Sequence, residues 1–100
     1  MNLNKLMKQA QKMQEQVAKT QAELESKTVE VSAGGGKVKV TANGAGDVLS
    51  IKIDKEIVDP EDVEFLEEMV LSAVQQAVEQ GKALAQSEMN KITGGLGGML

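Results

Sequence analysis

Cysteine and histidine are both absent from this 100-residue chain. With them go the disulfide frame, the thiolate zinc site, and the usual base or nucleophile of an enzyme working at neutral pH. Arginine is missing too: all eleven basic residues are lysine, so nothing offers the planar fork that grips guanine edges bidentately. Phe65 is the one aromatic residue, which removes the stacking platforms on which single-strand binders lay bases. No apolar run approaches the roughly 18 residues of a membrane span. The first 25 residues are polar and lysine-bearing, without the apolar centre of a signal peptide, and the chain reads as cytoplasmic. No serine sits in a nucleophile elbow. These gaps point away from an enzyme and a small-molecule substrate, and nothing calls for a cofactor.

What is present is one domain's worth of chain with a thin core, since so short a chain buries only a modest share of its surface. Small chains without covalent staples often gain the missing burial by oligomerising. The net charge of −4 is unevenly spread. Residues 1–55 carry nine lysines against six acids, net +3, and residues 56–100 carry two against nine, net −7. A polyanionic partner, if there is one, belongs to the first half, and it would be held by its phosphates more than read by its bases.

The periodicity is helical, then two, then helical again. Leu3, Leu6, Ala10, Met13, Val17, Thr20 and Leu24 step by three and four, an a/d seam on one long helix with Thr20 its single non-apolar member. With Leu3 at position a, Lys5, Lys12 and Lys19 fall at c and Lys8 at f. They form a solvent-facing stripe whose c positions lie about 10 Å apart. Three strands follow, in which Val29, Val31 and Ala33, then Val38, Val40 and Ala42, then Leu49, Ile51 and Ile53 alternate with polar residues, so each should be half-buried. The run Gly34-Gly35-Gly36-Lys37 invites a phosphate-loop reading. However, Val38 and a strand follow the lysine, where that motif needs a hydroxyl and a helix; the glycines are a hairpin turn, as is Asn43-Gly44-Ala45-Gly46-Asp47. Asp59-Pro60-Glu61-Asp62 reads as a helix start with Asp59 as cap. Val63, Leu66, Val70, Ala73, Ala77 and Leu84 then mark a broad core helix. Residues 1–93 are expected to form the domain and the glycine-rich residues 94–100 a flexible tail. A first helix of about 36 Å outruns strands of about 20 Å, so part of its seam must pair with the second helix, with another subunit, or with both.

NLNKLMKQAQKMQEQ, GGGKVKVTANG, SIKID, DPEDVEFLEEMVLSAVQQAV and the glycine- and methionine-rich end, in this order and spacing, resemble the YbaB/EbfC family of bacterial nucleoid-associated proteins over nearly the whole chain. The resemblance implies an α+β subunit of order α-β-β-β-α, a tweezer-like homodimer with protruding helices, and binding of double-stranded DNA in the nucleoid with weak sequence preference. On that basis Lys5, Lys8, Lys12 and Lys19 are the expected DNA contacts. A solvated helix face is the competing explanation of the same four residues. Lys37, Lys39 and Lys52 are accounted for by cross-strand pairing with Glu30 or Asp54. Glu61, Asp62, Glu64, Glu67 and Glu68 are accounted for by the helix dipole and solubility, with no metal. The alternative reading is a protein-interaction module that uses its amphipathic helices without touching DNA.

Overall fold

A computed structural model describes the backbone of residues 2–97 and the side-chain surroundings of residues 2–94. The elements are α1 (Leu3–Leu24), β1 (Thr28–Ala33), β2 (Val38–Asn43), β3 (Val48–Ile53), a short 3-10 turn (Lys55–Ile57) and α2 (Val63–Gly97). The expected α-β-β-β-α order is the one observed. The sheet is an antiparallel meander of order β1-β2-β3, with Val31 opposite Val40 and Val40 opposite Ile51. Gly34, Gly35, Gly36 and Gly46 all take positive φ, which is what lets both hairpin turns close.

Helix α2 lies across one face of the sheet. Its small residues Ala73 and Ala77 are fully buried against Val31, Val38, Val40 and Ala42. The close approach continues to Gly81, where a Cβ would overlap the carbonyl oxygen of Asn43. The helix covers β1 and β2 but hardly reaches β3. The alternation of Leu49, Ile51 and Ile53 predicts a half-buried strand, yet Leu49 is 52% and Ile51 45% exposed. A shift of register between Thr41 and Ala42 leaves Leu49 without a direct partner on β2.

Two boundaries differ from those the sequence suggests. Asp62, not Asp59, caps α2: its carboxylate accepts from the Phe65 N–H at 3.3 Å, while Asp59 accepts from the Glu61 N–H at 2.9 Å and closes a turn over Pro60. The helix also runs past Gly94 to Gly97; residues 98–100 of the expected tail lie outside the described residues.

Beyond the sheet, α1 touches the body only at its end. Leu24 is buried, Met13, Val17 and Thr20 are half-buried, and Leu3 is 69% exposed. Its neighbour is the second half of α2, where Leu84, Ala85, Glu88, Met89 and Ile92 are half-buried in turn. The two helices thus leave the sheet as an arm, and the molecule measures 71 × 21 × 17 Å.

Candidate nucleic-acid interface

All four lysines expected to contact DNA lie on α1 and are exposed. At about 100° of turn per residue they fall within an arc of about 60°, centred about 140° from the apolar seam. The seam half-buries one face on α2, and the stripe is left on the opposite one. Lys19 approaches Glu23 at 4.0 Å across one helical turn; Lys5, Lys8 and Lys12 have no carboxylate within that distance among the described residues.

Two further lysines join them. Lys82 and Lys91 stand on the distal half of α2, where a sum of charge over the whole helix is dominated by its acidic start. Split by structure, residues 2–24 and 80–97 hold six lysines against three acids, net +3. Residues 25–79 hold five against twelve, net −7. The basic part of the molecule is its arm, and the acidic part is its body.

One joint fixes the arm to the body. Asn43 is buried and fully bonded: its amide donates to the Glu25 carbonyl at 3.1 Å and to the Asp47 carboxylate at 3.3 Å, and its oxygen accepts from the N–H groups of Ala45 and Asp47 at 3.1 and 2.9 Å. The Gly44 N–H donates to the carbonyls of Leu24 and Lys27, closing the end of α1 onto the β2–β3 turn. Lys27 reaches Glu88 at 3.3 Å, and so does Lys91. These hydrogen bonds, that from Lys27 foremost and then that from Lys91, hold the Glu88 carboxyl below its usual pKa.

The sheet's outer face departs from the pairing expected for it. Lys37 does pair with Asp54 at 3.4 Å and with Glu56 at 2.8 Å. The bond to Glu56 and the charge of Asp54 raise its pKa, and the Glu56 N–H lowers that of Asp54. Lys39, by contrast, stands opposite Ser32 on one side and Lys52 on the other, while Glu30 stands opposite Thr41. No group of three or more His, Cys, Asp or Glu side chains among the described residues is placed to hold a metal ion, and none of the described helices is long and apolar enough to cross a membrane.

Residues 1–96 match the YbaB/EbfC DNA-binding family. The chain belongs to this family. It is 54% identical to a nucleoid-associated protein of Ruminiclostridium cellulolyticum over 98% of this chain and 85% of that one. With a nucleoid-associated protein of Moorella thermoacetica it shares 57% identity over 95% of this chain and 91% of that one. Its fold is similar to the crystal structure of an uncharacterized protein from Helicobacter pylori, with a TM-score of 0.75 and 21% identity over 87% of this chain and 91% of that one. Family and relatives alike point to a DNA-associated protein and not to an enzyme.

Proposed function

We propose that this chain is a non-catalytic homodimer of the bacterial nucleoid, and that its protruding arms hold duplex DNA by the phosphate backbone. The single observation that carries the reading is the lysine stripe of α1, aligned on the face that α2 leaves open and set on a net-positive arm. Lysine is a compact point charge that binds phosphate without selecting a base, which makes the expected sequence preference weak. Dimerisation is supported by the uncovered, mostly apolar groove between β3 and α2, lined by Ile53, Leu66, Val70, Leu71 and Val74 with Glu67 as its one charged member. A second copy is the occupant that a thin, elongated single chain needs. Replacing Lys5, Lys12 and Lys19 together by glutamate is expected to abolish DNA binding while helical circular dichroism and dimer mass stay as in the parent. Undiminished binding by that variant would leave the stripe as a solvated face. A helix-binding partner at the exposed Leu3, Leu6 and Met7 would then be the better reading.

A further inference from the structure

The polar face of the sheet carries a feature that neither folding nor pairing explains. Lys39 on the central strand β2 and Lys52 on β3 are direct cross-strand partners, both exposed, with side chains on the face away from α2. Like charges so placed, with Cβ atoms about 5 Å apart, oppose pairing of the strands. The acids of that face do not offset them. Asp54 and Glu56 are engaged by Lys37, Glu30 lies one diagonal from Lys39, and neither Lys39 nor Lys52 has a carboxylate within 4.0 Å among the described residues. Around the pair, the same register places three hydroxyls: Ser32 opposite Lys39, and Thr41 opposite Ser50 in the next row.

We propose that Lys39 and Lys52 form a second contact for the DNA backbone, on the sheet and separate from the arm. Two ammonium groups on flexible stems, starting about 5 Å apart, can meet both unesterified oxygens of one phosphodiester, and serine and threonine hydroxyls are ordinary neutral donors to phosphate and sugar. The ligand neutralises the repulsion that the free sheet carries. The site rests on the backbone-binding reading above but uses none of its residues, so the two fail separately.

The test is a titration of duplex DNA at several salt concentrations with the parent, with Lys39→Gln/Lys52→Gln, and with Lys39→Arg/Lys52→Arg. Every phosphate that is no longer neutralised makes the slope of log K against log salt shallower by about 0.9, up to about 1.8 for the two phosphates that the lysine pairs of a dimer would hold. The expected result for the glutamine variant is a shallower slope and affinity about tenfold or more below the parent at low salt, with a melting temperature no lower than the parent's because a repulsive pair is gone. The arginine variant should keep the parental slope. Parental slope and affinity in the glutamine variant would overturn the site, as would weaker binding with an unchanged slope and a lowered melting temperature. A parent that binds no DNA at any salt overturns the arm reading, and this site with it.

Discussion

Gly81 and Asn43 meet where the arm leaves the body, and at that point one missing side chain decides a distance between elements. A Cβ on Gly81 would overlap the Asn43 carbonyl oxygen. That oxygen cannot swing aside, because the Asn43 N–H bonds the Asp47 carbonyl at 3.0 Å and its side chain is bonded to the loop and to Glu25. Two effects compete in Gly81→Ala. Helix propensity favours alanine by about 1 kcal/mol, whereas overpacking against fixed backbone costs about 1–3 kcal/mol. Overpacking is expected to win, and the melting temperature should fall by roughly 4–8 °C for each net kcal/mol of destabilisation in a domain of this size. Thermal unfolding of the variant checks this; a rise would mean that the sheet end yields. The sequence shows Ala73, Ala77 and Gly81 as a small-residue stripe, but a stripe does not say which backbone it approaches. Asn43 gives even less away, since in the sequence it is only a turn residue that tolerates positive φ, and its burial and four side-chain hydrogen bonds come from the fold.

At the scale of elements, both helices and all three strands are legible because their apolar residues recur with periods near 3.6 and 2, and the turns because glycine is needed where φ is positive. What periodicity cannot reveal is coverage. The pattern of β3 is that of a strand with one buried face, which is the pattern an interface also produces. Here Ile51 and Ile53 point to the same side as Val40 and Val38 but pass beyond the edge of α2. The same ambiguity hides the Lys39–Lys52 pair, because register depends on the bulge and on turn geometry, and counting charges along the strands suggests neutral pairing instead. The cap of α2 shifts from Asp59 to Asp62 for a comparable reason: both aspartates suit a cap, and Pro60 serves equally as a first helical residue or as the corner of a turn. The uncovered groove gives the next prediction. Leu71 is 58% exposed on the single chain, so Leu71→Lys removes little of that chain's own core. If the proposed dimer pairs through this groove, the parent should sediment at equilibrium with twice 10.6 kDa at micromolar concentration and the charged variant with 10.6 kDa, helical content being kept. An unaltered dimer would move the interface elsewhere.

The whole molecule is far from a compact sphere. Its radius of gyration is 19.6 Å, where a compact domain of 100 residues has about 13 Å. Its accessible surface is 7261 Å², where about 5,500 Å² is usual for a monomer of 10.6 kDa. The difference of about 1,800 Å² exceeds the ~800 Å² that each partner gives to a standard interface. Pairing through the β3 groove can therefore take up part of it and still leave the arms open. The division of charge works on the same scale: an arm of net +3 draws a polyanion while a body of net −7 repels it, and over a Debye length of about 8 Å at physiological salt each part acts on what lies beside it. On the proposed reading, DNA would be drawn to the far end of the chain, where the four lysines of α1 stand. The most direct test is equilibrium binding of one DNA duplex by the parent protein across a range of salt concentrations. Four to eight phosphates neutralised by the two arms of a dimer predict a linear fall of log K with log salt at a slope of about −3.6 to −7, the sheet contact adding to it if it engages the same duplex. Binding that is indifferent to salt, or absent even at low salt, would contradict the account.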